Sequence, residues 1–243
     1  MKDSIIENLN RVHQRIETAC KEAGRAVDEV QLLLATKTVS AEKIQLAVEA
    51  GETIIGENKV QELRDKDAVL SSLPIERHFI GHLQTNKIKD VLKYASCIQS
   101  LDRLKVVREL DRRLQREGRN LRVYVQVNTS YEDSKFGISP EKTLAFIREL
   151  KQFQTLKIEG LMTIGLLDVE KERMRPSLAL LRKTRDEVLN DGLDTINTLK
   201  LSMGMTQDLE LAVAEGSNMV RIGTAIFGNR FLGREIWNES EVK

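Results

Sequence analysis

Short apolar runs alternate with longer amphipathic stretches along the chain. Eight of the runs have the length of strands and are rich in aliphatic and β-branched residues, whereas the segments between them repeat apolar residues at helical spacing. This alternation is typical of strand and helix units repeated around a parallel sheet. The predicted strands are residues 30–36, 53–55, 78–80, 96–99, 122–127, 157–161, 199–201 and 218–222, of which the second and third have the weakest pattern.

Residues with N-cap chemistry precede several of the predicted helices. Ser139 is followed by Pro140 at the first helical position, and Ser40 and Thr206 are further candidate N-caps. The pattern predicts an additional helix before the first strand. The predicted helices are residues 4–23, 41–50, 59–70, 86–94, 103–117, 141–152, 170–189 and 207–214.

The length and the continuity of this pattern favour one barrel. The chain has 243 residues, close to the roughly 250 residues of a typical eightfold β/α barrel. It contains three prolines, and no linker-like or low-complexity stretch divides it. We therefore expect an α/β fold, a single (β/α)8 TIM barrel domain over residues 1–243, with an extra N-terminal helix.

Composition narrows the range of partners and compartments. The formal net charge is +1, so no overall field favours nucleic acid or an anionic membrane as a partner. The N-terminal residues show no apolar run that resembles a signal peptide or a membrane span, and we expect a cytoplasmic protein. Cys20 and Cys97 lie far apart in the sequence, outside any C-x-x-C spacing, and are expected to be packing residues.

Polar or glycine-containing positions follow every predicted strand. In β/α barrels the loops after the strands form the functional face, so these positions should converge on one rim. Lys37 directly follows the first strand, behind a run of apolar residues, and its amine should emerge into the barrel mouth. Partial desolvation lowers the pKa of a lysine and provides the neutral amine that attacks an aldehyde. The alternative is a solvated surface lysine.

Two glycine-containing turns follow the last two predicted strands. The stretch LSMGMTQDLELAVAEG reads as a strand, a turn and a helix, and VRIGTAIFG adds a second turn of the same kind. Free backbone N–H groups at residues 204–206 would point toward an anion, and barrels often hold a phosphate after their last two strands. The alternative is that these glycines only form turns.

Arg221 lies within the eighth strand between two aliphatic residues that should face the helices. Its guanidinium would then point into the barrel, where it can donate to a pyridine nitrogen without giving up its own proton. The alternative is an ion pair with a barrel carboxylate such as Glu57. His78 and His82 straddle a strand end and do not share a helix face, so no metal site is expected.

Several long motifs, found in a fixed order over nearly the whole chain, resemble the pyridoxal phosphate homeostasis family, also called pyridoxal phosphate-binding proteins. Members usually have serine where this chain has Thr36, which keeps the hydroxyl. The motifs are LLLATKTVSAEKIQLAVEAG at residues 32–51, IIGENKVQE at 54–62, HFIGHLQTNK at 78–87, SLDR at 100–103, GLMTIG at 160–165 and LSMGMTQDLELAVAEGSNMVRIGTAIFG at 201–228.

The resemblance implies a barrel similar to the N-terminal domain of alanine racemases, with pyridoxal 5'-phosphate (PLP) held as a Schiff base on Lys37. It implies that the protein carries or buffers PLP and maintains vitamin B6 and amino-acid pools, without a settled catalytic activity. The partners it implies are PLP and PLP-dependent apo-enzymes, and the chain is expected to be a monomer or a weak homodimer. The implied cofactor contacts are Ser202, Gly204, Gly223 and Thr224 with the phosphate, Arg221 with the ring nitrogen, and Asn58 near the cofactor.

Two other functions remain open from the sequence. A PLP-dependent amino-acid racemase needs a second acid/base near Lys37, for which Tyr131 and His82 are the candidates. From the short segment after the predicted barrel, we expect no second domain of the kind that supplies this group in racemases of similar fold. A barrel aldolase would instead use the lysine directly on a sugar phosphate, without a cofactor.

Overall fold

The structure, a computed structural model, describes residues 2–166, 170–193 and 198–228. Eight parallel strands close into a barrel in the order of the chain, and the first strand pairs with the last. This arrangement confirms the predicted fold class. The strands are β1 (Gln31–Ala35), β2 (Ile54–Glu57), β3 (Glu76–Phe79), β4 (Cys97–Leu101), β5 (Leu121–Gln126), β6 (Leu156–Met162), β7 (Lys200–Ser202) and β8 (Met219–Ile222).

All eight predicted strands are present, and their ends differ from the predicted ones by at most two residues. The third strand, whose sequence pattern is weak, shows why the predicted ends differ. Strand β3 begins at Glu76 because Glu76 and Arg77 pair with β2, although both side chains are charged. A hydrophobic pattern reports which side chains are buried and not which peptide groups pair, so it places the ends of short strands poorly.

Helices surround the barrel, as predicted. The predicted additional helix at the N-terminus is present. Among the described residues, a short helix after β8 was not predicted from the sequence pattern. The helices are α1 (Lys2–Glu22), α2 (Ala41–Glu49), α3 (Val60–Asp65), α4 (Asp67–Leu70), α5 (Ile88–Tyr94), α6 (Leu104–Glu117), α7 (Pro140–Leu150), α8 (Lys171–Asn190), α9 (Leu209–Ala214) and α10 (Thr224–Phe227).

Two local predictions about helices were wrong. The single helix expected over residues 59–70 is broken at Lys66, which caps both α3 and α4, and its side chain turns inward toward a buried carboxylate instead of following the amphipathic face. Thr206 is not the N-cap of α9. That position belongs to Asp208, whose Oδ1 accepts the Met205 N–H at 2.6 Å and so stabilises the turn before the helix.

Helix α1 covers the seam where the barrel closes. It packs on α9, α10 and α2 through one continuous apolar face. The Arg15 side chain also reaches the loop after β7, where Nη2 donates to the Thr206 carbonyl at 2.8 Å and Nε donates to Glu210 at 2.7 Å. The helix that precedes the barrel therefore fixes a loop on the functional rim.

Side chains alternate along β8 as the sequence predicted. Val220 and Ile222 pack outward against the cluster that contains α1, α2 and α9, so Arg221 between them points into the barrel. Cys20 and Cys97 are free and buried, in agreement with the prediction that they are packing residues. No helix within the described ranges is long and apolar enough to cross a membrane.

Candidate functional site

A cavity of about 450 Å³ opens at the carboxyl ends of the strands. It is lined by residues that follow or end β1, β2, β3, β6, β7 and β8. This is the face on which β/α barrels carry their functional groups. The polar positions singled out from the sequence therefore converge on the predicted rim.

Lys37 lies at the end of β1, half-buried, and lines the cavity. The chain leaves the sheet at this point, since the Thr36 N–H still bonds to the Gly56 carbonyl at 3.0 Å whereas Thr38 already adopts a left-handed conformation with a φ of 63°. Left-handed backbone is uncommon for a β-branched residue. The conformation of the chain around Lys37 is thus held by its surroundings.

Asn58 follows β2 and lines the cavity beside Lys37. Its main chain is in close contact with the end of β3. A Cβ atom on Gly81 would lie 2.0 Å from the Asn58 carbonyl oxygen, so only glycine allows the two segments to approach this closely. We call the cavity side formed by Lys37 and Asn58 the lysine wall.

The adjoining side of the cavity, which we call the glycine wall, is formed by residues 205–207 after β7 and by Gly223 and Thr224 after β8. A Cβ atom on Gly223 would lie 2.6 Å from the Ala35 carbonyl oxygen, which shows how closely the turn after β8 approaches the end of β1. The first N–H groups of a helix have no acceptor within the helix. The turn before α10 therefore presents main-chain donors close to Lys37.

Arg221 lines the floor of the cavity and is deeply buried. Its Nη1 donates to the Ser202 hydroxyl at 2.9 Å and its Nη2 donates to the Thr163 carbonyl at 2.6 Å. Burial lowers the pKa of Arg221 to about 10, against the attraction of Asp208, and the guanidinium remains charged at neutral pH. The predicted inward orientation is present, and the alternative acceptor Glu57 instead contacts Lys66 at 2.6 Å.

Two of the seven predicted contact residues do not line this cavity. The Ser202 hydroxyl is wholly buried below Arg221, where it donates to Gln99 Oε1 at 2.6 Å. Gly204 has a φ of 99°, and a Cβ atom there would lie 2.5 Å from the Ala212 Cβ atom, so this glycine seats the loop on α9. The structure brings together Lys37, Asn58, Arg221, Gly223 and Thr224.

An apolar surface between these polar groups was not predicted from the sequence. Ile80, Met162, Ile164 and Met205 line the cavity, each at or just beyond the end of a strand. Their position after predicted strands was the available signal, but aliphatic residues there are indistinguishable from ordinary core residues in sequence. The cavity therefore combines an apolar surface, one lysine, one arginine and a main-chain turn.

Neither residue considered as a second acid/base lines the cavity. His82 stacks on Phe136 with ring centroids 3.6 Å apart, in a separate groove, and burial together with the Arg103 charge lowers its pKa. Tyr131 is 58% exposed and its hydroxyl donates to Glu141 at 2.6 Å. Among the lining side chains, all in the described part of the chain, Lys37 and Arg221 are the ionisable ones.

Comparison with known proteins agrees with this geometry. The family described as "Alanine racemase, N-terminal domain" matches residues 5–230. A pyridoxal phosphate homeostasis protein of Aquifex aeolicus is 39% identical over 224 residues, which cover 92% of this chain and 97% of that protein.

Solved structures extend the comparison. The structure of PipY of Synechococcus elongatus with PLP bound superposes with a TM-score of 0.80 at 31% identity, covering 92% of this chain and 100% of that one. An alanine racemase of Clostridium difficile superposes with a TM-score of 0.75 at 16% identity over 57% of its length, which shows a shared fold alone. Fold, site and sequence together place this chain in the pyridoxal phosphate homeostasis protein family, within the wider alanine racemase N-terminal domain family.

Proposed function

We propose that this protein binds PLP in the cavity at the barrel mouth, links it covalently to Lys37, and carries or buffers the cofactor for vitamin B6 and amino-acid homeostasis. The observation that carries the proposal is that Lys37 shares one cavity with the turn after β8 and with Arg221. A relative that is 31% identical has been solved with PLP bound.

The residues of the cavity fit such a cofactor. A volume of about 450 Å³ lies in the range of small-molecule sites. Gly223 and Thr224 offer main-chain and hydroxyl donors for a phosphate, Arg221 offers guanidinium donors for the ring, and Asn58 stands beside Lys37. The apolar surface can pack against an aromatic ring. We assign Ser202 and Gly204 an indirect part in cofactor binding, because they support Arg221 and the loop after β7.

The chemistry of the site favours carriage over turnover. The cofactor supplies an aldehyde, with which a neutral lysine amine condenses with loss of water. Lys37 provides that amine, and Arg221, charged at neutral pH, keeps the floor of the cavity positive. Racemisation needs a second proton carrier, and His82 and Tyr131 lie elsewhere. The geometry therefore supports the carrier proposal better than the racemase alternative.

Colour and mass test cofactor binding at this lysine. We expect purified protein supplied with PLP to be yellow, to lose the colour on borohydride treatment, and to gain the mass of one reduced pyridoxyl group on Lys37. The Lys37→Ala variant should fold and stay colourless. Protein that takes up no PLP would contradict the proposal and would revive the aldolase reading.

A transfer assay tests the carrier role and the proposed apo-enzyme partners. Loaded protein and free PLP, at matched concentration, are compared in the rate at which they activate a PLP-dependent apo-enzyme. Faster activation by the loaded protein supports direct delivery, whereas a rate limited by release into solution contradicts it.

We further propose that the chain acts as one domain and as a monomer or weak homodimer. Sedimentation at several protein concentrations would measure the oligomeric state.

A further inference from the structure

A cluster of three ionisable side chains lies directly behind the Lys37 segment. The Lys66 ammonium donates to Glu57 Oε1 at 2.6 Å, to Glu62 Oε2 at 2.8 Å and to the Thr36 carbonyl at 2.9 Å. An ammonium has three protons, and these contacts use all of them. Glu57 is wholly buried and Lys66 is buried with it.

Burying such charges is costly, and packed apolar residues of similar volume often stabilise a core as well or better. Lys66 also interrupts what would otherwise be one helix, as the caps of α3 and α4 show. Fold stability alone therefore gives little reason for this cluster. Its contacts with the main chain of a single short segment indicate a more specific role.

The cluster holds the peptide groups on both sides of Lys37. On the strand side, the Thr36 carbonyl accepts from Lys66, and the Thr36 hydroxyl donates to Glu57 Oε1 at 2.7 Å. On the loop side, the Thr38 N–H donates to Glu62 Oε2 at 2.6 Å. Lys66 contacts both carboxylates, so one ammonium connects the contacts on the strand side and on the loop side of Lys37.

The Glu62 contact on the loop side stabilises an unfavourable backbone conformation of Thr38. Thr38 has a φ of 63°, and left-handed backbone at a non-glycine residue is unfavourable and persists only where its surroundings enforce it. If the Glu62 contact were lost, Thr38 could relax to a negative φ, which would rotate the peptide group that joins it to Lys37. The lysine side chain would then leave the direction in which it lines the cavity.

We propose that Lys66, together with Glu57 and Glu62, is a positioning residue that fixes the main chain at residues 36–38 so that the Lys37 amine faces the cofactor. This inference rests on the proposed function of Lys37. Lys66 itself is not a candidate for the covalent link, because its ammonium is held by the two carboxylates and does not line the cavity.

The test separates covalent linkage from binding. For each variant, equilibrium dialysis measures total bound PLP, and borohydride reduction followed by peptide mass mapping measures the fraction linked to Lys37. For Lys66→Met and for the milder Glu62→Ala we expect folded protein that still binds PLP through the glycine wall, with a linked fraction lowered about tenfold or more, because a small misplacement of a reacting group costs that much. The pH midpoint of the absorption band should also move.

Arg122→Met is the matched control, since it breaks a partly buried ion pair with Glu76 on strands β5 and β3, away from the cavity lining. We expect it to lower stability without changing the linked fraction. Thr38→Gly provides a rescue, because glycine adopts a positive φ without penalty. In the Glu62→Ala background it should restore most of the lost linkage.

The outcomes distinguish this inference from the proposed function. Full linkage of Lys37 in Lys66→Met and Glu62→Ala with an unchanged pH midpoint, or no gain from Thr38→Gly, would overturn the positioning role while leaving Lys37 as the cofactor lysine. A linked fraction that falls equally in Arg122→Met would also overturn it, because the effect would follow stability alone. Absence of any PLP adduct in the unmodified protein would instead refute the proposed function.

Discussion

The lysine wall and the glycine wall of the cavity are held in place by different kinds of interaction. Behind the lysine wall lie three ionisable side chains, two of them deeply buried, which hold the main chain around Lys37. The glycine wall is shaped mainly by backbone turns. The close approach of Gly223 to β1 leaves no space for a side chain, and Gly204, outside the cavity lining, seats the loop after β7 on α9. A flexible lysine has to be aimed, whereas main-chain donors are already rigid, and this difference explains the two constructions.

Breaking the charged cluster should have the largest effect on stability. Lys66→Met leaves two carboxylates without their ammonium, and we expect it to lower the free energy of unfolding by about 3–5 kcal/mol. Glu57→Leu leaves Lys66 paired with Glu62 and should lower it less. The double variant should lose less than the sum of the two. Denaturant unfolding measures all three. An additive double variant would show that the two side chains are not energetically coupled.

The same cluster should give the lysine wall an unusual pH dependence. Burial raises the pKa of Glu57 to about 7, despite the opposing effect of Lys66. The folded protein then holds a proton that the unfolded chain has lost between about pH 4.5 and pH 7, so this group makes stability fall as the pH rises through that window. Relative to Glu57→Gln, the unmodified protein should lose on the order of 2 kcal/mol across it.

Glu76 shows the opposite pH dependence to Glu57, and Glu76→Gln is the variant that tests it. Hydrogen bonds from His78 and Arg122 lower the pKa of Glu76 to about 2, so its contribution to stability is present above the pKa of the unfolded chain and is lost as the pH falls. Thermal unfolding of the three proteins between about pH 2 and pH 8 measures both trends, because the Glu76 contribution is lost between about pH 4.5 and pH 2. Parallel curves for the unmodified protein and Glu57→Gln would contradict the raised pKa.

On the glycine wall, PLP affinity should depend on the space around the backbone and not on charge. Gly223→Ala places a methyl group 2.6 Å from the Ala35 carbonyl oxygen, and since backbone must shift to accommodate it, we expect PLP affinity to fall about tenfold. The matched control is Gly118→Ala, which has open space around it and a φ of 62°. It should lower stability by about 1 kcal/mol and leave PLP affinity unchanged. Equal affinities for the two variants would contradict the close-approach argument.

The smallest effect is expected at Ser202. Its hydroxyl bonds to Gln99 and Arg221 and does not line the cavity, so Ser202→Ala should weaken PLP binding less than Thr224→Ala, which removes a hydroxyl at the cavity itself. Titration of the absorption band with PLP measures both. A larger loss at Ser202 would show that its hydroxyl contacts the phosphate directly.

The sequence predicted the features that depend on burial and on position in the chain. The period of apolar residues gave eight strands, and the rule that loops after strands form the functional face brought Lys37, Asn58, Arg221, Gly223 and Thr224 to one rim. The alternation of side chains along β8 also gave the inward direction of Arg221 correctly.

The features that the sequence did not predict depend on contacts between residues far apart in the chain. A lysine in an amphipathic stretch is read as a solvated residue, so Lys66 was assigned to a continuous helix, although it reaches inward to a carboxylate on β2. The depth of Ser202 below Arg221 likewise depends on the pairing of β7 and β8 and on Gln99 from β4. Periodicity along one segment carries no information about such partners.

Closure of the barrel has a consequence for biosynthesis. Leu34 on β1 is in register with Ile222 on β8, so Lys37 and Gly223 become neighbours only when the first and last strands pair. A nascent chain on the ribosome carries the lysine early but lacks the neighbouring glycine wall of the cavity until the eighth strand has emerged. Cofactor colour in a translating chain would accordingly mark the moment at which the whole barrel has been completed.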